Sequence, residues 1–225
     1  MNKTLVLAEK PSVGREIARI LRCSKKRNGF LEGDKYIVTW ALGHLVSLAE
    51  PADYDPKYKD WNINDLPMMP EKMRLKVLKS AGKQFRVVSQ LMKRNNVERL
   101  IIATDAGREG ELVARWIMIL GGWGKRPFQR LWISSQTDAA IRQGFTNLKD
   151  GRNYDALFQA ARCRAEADWL IGLNATRALT CKYDIQLTAG RVQTPTLSIL
   201  VEREKEIAAF QPKTFYKIKA AFENM

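Results

Sequence analysis

The chain holds a single histidine, His44, in 225 residues, which removes histidine-rich metal sites and Ser-His-Asp chemistry from consideration. Any metal would have to be held by carboxylates and water. Cysteine is scarce as well: Cys23, Cys163 and Cys181 are an odd number with no Cys-x-x-Cys spacing, so neither a disulfide framework nor a zinc ribbon is indicated. A reducing, cytoplasmic setting is expected. Long apolar runs are missing. Met1-Asn2-Lys3 leads into only five apolar or small residues before Glu9, too short for a signal-peptide core, and no later stretch is long enough to span a bilayer. Acids are outnumbered, with 24 Asp and Glu against 38 Lys and Arg, and the resulting +14 charge and pI of about 9.8 favour a polyanionic partner. Nucleic acid is the leading partner, with a merely solubilising basic surface as the lesser alternative from charge alone.

What is present is an alternation of short apolar runs and amphipathic stretches. Thr4 to Ala8 has the form of a buried strand, and Pro11 opens a helix with Val13, Ile17, Ile20 and Leu21 at helical spacing. Tyr36 to Trp40 is a second strand. Glu50 to Pro70, rich in Pro, Asp, Lys and aromatics without a period, is expected to be a long surface loop. Gln84 to Met92 is helical, Arg99 to Thr104 is a strand, and Leu112, Val113, Trp116, Ile117 and Leu120 mark the next helix. Leu131 to Ser134 is predicted as a strand, and Thr137 with Asp138 caps a helix carrying Ile141, Phe145 and Leu148. Such alternation implies an α/β fold with a mainly parallel sheet flanked by helices.

From about Asp155 the pattern changes to long helices, Asp155 to Thr180 and Pro195 to Phe210. The expected organisation is a metal-binding domain over 1–150, a helical DNA-binding segment over 151–210 and the start of a β domain over 211–225. In the last of these, Tyr216, Ile218, Ala220 and Phe222 alternate like a half-buried strand. A strand without neighbours is not stable, so the chain reads as cut within a further domain.

Glu9 follows the first strand, and Asp105, Glu109 and Glu111 follow the strand ending at Thr104. Open α/β sheets bind ligands at this carboxyl edge. Glu9, Asp105 and Glu109 offer the oxygen ligands that Mg²⁺ takes, with Lys10 and Arg108 beside them to counter phosphate charge. Glu109 and Glu111 also suit the first turn of a helix, where the dipole favours acids, with Arg108 as their solvated partner.

The strings IIATDAGREGELVARWI and LVLAEKPSVGREIA together resemble the Toprim domain of the type IA DNA topoisomerases, and Gly43-His44-Leu45 with Arg130 to Ser135 resembles their bacterial topoisomerase III branch. The resemblance implies that Glu9 works at the cleavage site with Lys10 and that Asp105 and Glu109 hold Mg²⁺. The family's usual second aspartate is replaced here by Gly107, so the metal site is expected to be leaner, resting on Glu9 and Asp105 with Glu109 or water completing it. Trp132 is expected in the core and His44 as a satisfied buried residue.

QAARCRAEADWLIGLNATRALT resembles the family helix that lines a single-strand groove, with Asp168, Thr176 and Arg177 contacting or positioning DNA. By their spacing alone its Arg162/Glu166 and Arg164/Asp168 pairs are ordinary i, i+4 ion pairs. GRVQTPTL resembles a type IA signature in which Ala189, Gly190, Arg191, Val192, Gln193 and Thr194 touch the DNA backbone. Thr194 reads as an N-cap with Pro195 at the first helical position, and such a helix start can bind phosphate. Trp61 in the long loop can stack on bases.

In the family a tyrosine followed two places later by arginine attacks the phosphate without ATP. Tyr36, Tyr54, Tyr58, Tyr154, Tyr183 and Tyr216 all lack arginine at that offset, so the expectation is half an active site. A non-catalytic single-strand-binding fragment and a Toprim nuclease using metal-activated water stand as alternatives.

Overall fold

The computed structural model describes residues 2–222. Its main sheet has seven strands in the order β2-β3-β4-β1-β7-β8-β9, formed by β1 (Lys3–Ala8), β2 (Lys25–Arg27), β3 (Phe30–Glu32), β4 (Tyr36–Trp40), β7 (Val97–Ala103), β8 (Phe128–Arg130) and β9 (Lys149–Asp150). The four central strands run parallel and the flanking pairs are antiparallel. A separate two-stranded sheet pairs β5 (Val46–Leu48) with β6 (Leu75–Val77).

The strands β1 and β7 at the middle of the sheet are apolar on both faces because helices cover both. On one side α3 (Gly82–Met92) and α4 (Arg108–Gly121) bury Leu5, Leu7, Leu100 and Ile102. On the other, α1 (Pro11–Ile20) and α5 (Asp138–Thr146) bury Val6, Ala8, Ile101 and Ala103. The Thr137 hydroxyl accepts from the Ala140 amide and starts α5, as its sequence predicts.

A short helix, α2 (Pro51–Tyr54), opens the long loop, and the 29-residue α6 (Asp155–Tyr183) enters the first core layer through Phe158 and Ala161. The loop does not lie free: Trp169 Nε1 donates to the Ala49 carbonyl at 2.9 Å, Asn174 bonds both backbone groups of Met68, and Arg177 Nη1 donates to the Tyr58 carbonyl at 2.8 Å. The irregular segment is thereby held along one side of α6.

Three expectations change. The strand predicted over Leu131 to Ser134 occurs earlier, at Phe128–Arg130, because Arg130 is drawn inward by buried acceptors and Leu131 ends the pairing. The last helix, α7, spans Gln193–Ala208 with Val192 rather than Thr194 at its N-cap. The Thr194 hydroxyl instead folds back to accept from the Gly190 amide, and Pro195, which has no amide hydrogen to lose, sits inside the first turn. Finally, the alternation at Tyr216, Ile218 and Phe222 forms no strand among the described residues. No strand lies alongside to take its backbone bonds, and Ile218 is 98% exposed. Residues 223–225 of the expected β domain lie outside the described residues.

Candidate phosphate and metal site at the sheet edge

Because β1 and β7 are parallel and in register, with Ala8 opposite Ala103, Glu9 and the Thr104–Asp105 turn leave the sheet side by side. The Asp105 amide donates to Glu9 Oε2 at 3.1 Å, and Lys10 Nζ lies 3.4 Å from Asp105 Oδ2. These three side chains therefore meet at the carboxyl edge. The Gly43 amide donates to the Glu9 carbonyl at 3.1 Å, which brings the turn before His44 to the same edge. His44 itself is exposed rather than buried, since it belongs to this surface turn and not to the core.

Glu109 takes another direction. It begins the exposed face of α4, and its Oε1 lies 3.5 Å from Arg164 Nη1 on α6. Among the described residues no three acids, cysteines or histidines gather closely enough to cage a metal ion. Arg108, the first residue of α4, is exposed and forms no ion pair among the described residues. The fourth acid, Glu111, is fully buried, and its role is structural.

Glu111 explains how the edge is built. Its Oε2 accepts from Arg130 Nε at 3.0 Å and its Oε1 from Arg115 Nε at 2.7 Å. Arg130, also fully buried, donates to the carbonyls of Thr104 at 2.8 Å and Asp105 at 2.7 Å. Burial pushes the Arg130 guanidinium below its ordinary pKa, and the Glu111 carboxylate opposes that shift. One buried pair thus fixes the carbonyls of the turn that presents Asp105. Sequence reasoning placed Glu111 at the same edge but outside the ligand set, and gave Arg130 no part in the site. Nothing in the sequence marked Arg130, the last residue of the three-residue strand Phe128–Arg130, as buried.

Gly110 and Gly107 complete the turn. A Cβ at Gly110 would collide with the Asp105 backbone, and the Gly110 carbonyl accepts from the Thr104 hydroxyl at 2.7 Å, so only glycine lets α4 start so close to the acid. Gly107 is different: its backbone is extended, φ 177° and ψ 178°, and a Cβ there meets nothing within 4 Å. Position 107 has room for a side chain.

From Glu109 a chain of alternating charges runs along α6. Arg164 contacts Glu109 at 3.5 Å and Asp168 at 3.7 Å, and Asp168 accepts from Arg191 Nη1 at 3.1 Å. Arg191 and the Gly190 turn thereby connect to Glu109 at the start of α4. The turn is held by Thr176, whose hydroxyl accepts from the Ala189 amide at 3.0 Å and donates to the Ala189 carbonyl at 3.2 Å. Thr176 and Ala189 consequently satisfy each other, while Val192 is exposed and Gln193 opens α7.

Arg177 is buried, its guanidinium 5.2 Å from the Trp61 ring, and its Nε has no hydrogen-bond partner. Burial lowers its pKa. Trp61 is half-exposed. Trp132 departs from its expected place in the core: it is 39% exposed and stacked on Tyr154 at 4.8 Å, because it lies past the end of β8 at the open edge.

The family described as "Toprim domain" matches residues 4–135, more than half of the chain, and that described as "DNA topoisomerase" matches residues 152–225. The chain is 59% identical over 224 residues to the DNA topoisomerase 3 of Bacillus cereus strain ATCC 10987, and 56% identical over 225 residues to that of Bacillus subtilis strain 168. Each match covers 100% of this chain and 31% of the relative, so the chain spans less than a third of the length of these curated relatives. The chain belongs to the type IA DNA topoisomerases of the topoisomerase III kind, with its Toprim domain forming the sheet and its acid edge.

Proposed function

We propose that these residues supply the metal-binding half of a strand-cleaving and strand-rejoining site together with part of a groove for single-stranded DNA. The observation that carries this reading is the Glu9–Asp105 pair at the sheet edge together with a separate charged chain that runs from Glu109, at the start of α4, through Arg164 and Asp168 to Arg191. In the proposed division, residues 1–150 form the metal-binding domain, 151–210 the helical DNA-binding segment and 211–225 the start of a β domain.

Glu9 and Asp105 fit Mg²⁺, which is commonly held by one or two carboxylates together with waters and substrate phosphate rather than by an all-protein cage. Glu109 can join them only by leaving Arg164. The ion would supply positive charge to the oxygens of the phosphate being transferred. Lys10 and Arg108 flank the same phosphate and balance its charge. Arg191 and the Gly190 turn hold the backbone further along α6. Arg177 has one backbone acceptor and a free Nε, and a phosphate oxygen would satisfy that bare buried donor. Trp61, in contact with Arg177, offers its exposed face to a base.

None of the six tyrosines has arginine two residues on, so the proposed covalent step is assigned to a tyrosine outside this sequence. DNA binding without strand cleavage is the activity proposed for the 225 residues alone. Cys23, Cys163 and Cys181 are all free thiols, which supports a reducing, cytoplasmic setting. No helix among the described residues is long and apolar enough to cross a membrane.

The test is single-strand binding with and without Mg²⁺, for the chain and for Glu9→Gln/Asp105→Asn. Without Mg²⁺ the variant should bind more tightly, since two carboxylates no longer repel the phosphates. With Mg²⁺ the unmodified chain should gain affinity and the variant should not. Equal gains for both would overturn the metal assignment.

A further inference from the structure

We infer that the flank of the sheet formed by β2 and α3 is a second nucleic-acid surface, one that grips the phosphate backbone of duplex DNA. It is separate from the acid edge and the α6 groove, and draws on the proposed function only in taking DNA as the polyanion.

The exposed side of α3 presents Lys83, Arg86, Gln90 and, just past its end, Lys93, at spacings of three, four and three residues. The helix contains no acid. Next to it lies β2, whose three residues Lys25, Lys26 and Arg27 are all exposed. Strand alternation and the register Lys25 to Glu32 and Arg27 to Phe30 put Lys25 and Arg27 on the face shared with Phe30, which packs toward α3. A cleft of about 660 Å³ separates the two elements, with Arg27, Asn28 and Phe30 on one wall and Val87, Gln90 and Arg94 on the other.

The one acid in this cleft is already neutralised. Glu32 lies 2.6 Å from Lys3 and 3.5 Å from Arg94, and the Lys3 ammonium holds its carboxyl below the usual carboxylate range. Lys25, Arg27, Lys83, Arg86 and Lys93 form no ion pair among the described residues. Cations on an edge strand also guard it against pairing with another chain, which accounts for β2. That purpose does not extend to α3. Lys83 stands in the first turn of that helix, where the dipole disfavours a cation, so helix stability does not call for it.

The absence of stacking groups decides for duplex over single strand. Phe30 is covered by the Arg94 guanidinium at 5.2 Å, and no other aromatic lines the cleft, whereas sequence-tolerant single-strand binders stack bases on exposed rings. Cations with amide donors such as Asn28 and Gln90 suit a backbone instead. Eleven helical residues run about 16 Å, and duplex DNA carries about one charge per 1.7 Å of axis with both strands counted, so that length of duplex holds roughly ten phosphates, of which this face can reach only the nearer ones, with five unpaired cations.

The experiment compares salt-dependent binding of the 225-residue chain to a mixed-sequence duplex and to a single strand. Lys25→Gln/Arg27→Gln/Arg86→Gln should lower the slope of log affinity against log salt on the duplex by about 2.7, at about 0.9 per lost contact. The single-strand slope should not change. A control triple of equal charge, Lys125→Gln/Arg142→Gln/Lys213→Gln, should leave the duplex slope in place. A duplex slope no lower than the control's would overturn the proposal, as would an equal fall on single strands, which would make this flank part of the single-strand path. Should the triple be less stable, each single variant is expected to lower the duplex slope by about 0.9. Failure of the groove reading shows separately, as single-strand binding whose salt slope Arg191→Gln leaves unchanged.

Discussion

Replacing Gly107 with aspartate should tighten Mg²⁺ binding. The position already has extended backbone that any residue adopts, and a Cβ built there meets nothing within 4 Å, so the change should alter stability without metal by no more than about 0.5 kcal/mol. Its side chain would leave the turn two residues after Asp105. A unit charge about 4 Å away interacts by about 4 kcal/mol at an effective dielectric of 20. Asp105 is more than half exposed, so solvent screening and the ordering of the new side chain remove most of that. About 1.4 kcal/mol remains as a working figure, or about tenfold in Kd. Calorimetric titration of Mg²⁺ into Gly107→Asp and the unmodified chain measures this directly. The melting temperature of the variant should also rise more steeply with Mg²⁺ concentration. Unchanged affinity in a stably folded variant would refute the reasoning, because it would mean that the turn does not face the Glu9 and Asp105 oxygens.

Arg130→Met should cost about 1–3 kcal/mol in urea unfolding, since it bares Glu111 Oε2 and the Thr104 and Asp105 carbonyls while Arg115 still pairs with Glu111 Oε1; a loss under 1 kcal/mol would contradict the buried-pair account. Cys23, whose thiol is pushed up to about 11 mainly by burial, should resist alkylation at pH 8 in the folded chain while exposed Cys163 reacts, because the thiolate is the nucleophile; equal rates in the native state would count against the core described around α1. Trapping with denaturant in the presence of Mg²⁺ and single-stranded DNA should yield no DNA joined to protein; an adduct would show that one of the six tyrosines is a nucleophile.

The central sheet was legible because β1, β4 and β7 are short apolar runs in a chain otherwise rich in charge, a contrast that only burial on both faces explains. The small strands β2, β5, β6 and β9 were not, since two or three residues carry no period. Glu9 and Asp105 could be placed together from topology alone, because residues that follow adjacent parallel strands must leave at the same edge. Glu109 could not, as its direction depends on Arg164, 55 residues away in the sequence. The burial of Glu111 and Arg130 was equally invisible, for a charged residue is conspicuous in sequence only when no partner neutralises it. Thr194 looked like a cap because hydroxyl residues favour that place, yet the hydroxyl bonds backward to Gly190 and the helix begins earlier.

The central claim is that α6 and the Gly190 turn carry a single strand toward the Glu9–Asp105 edge. Salt-dependent binding of mixed-sequence single strands to the chain and to Arg191→Gln tests it most directly. The account predicts binding at low salt that falls steeply as salt rises, with the slope of log affinity against log salt reduced by about 0.7 when the one phosphate contact of Arg191 is removed. No binding at low salt, or a slope that Arg191→Gln leaves unchanged, would contradict it.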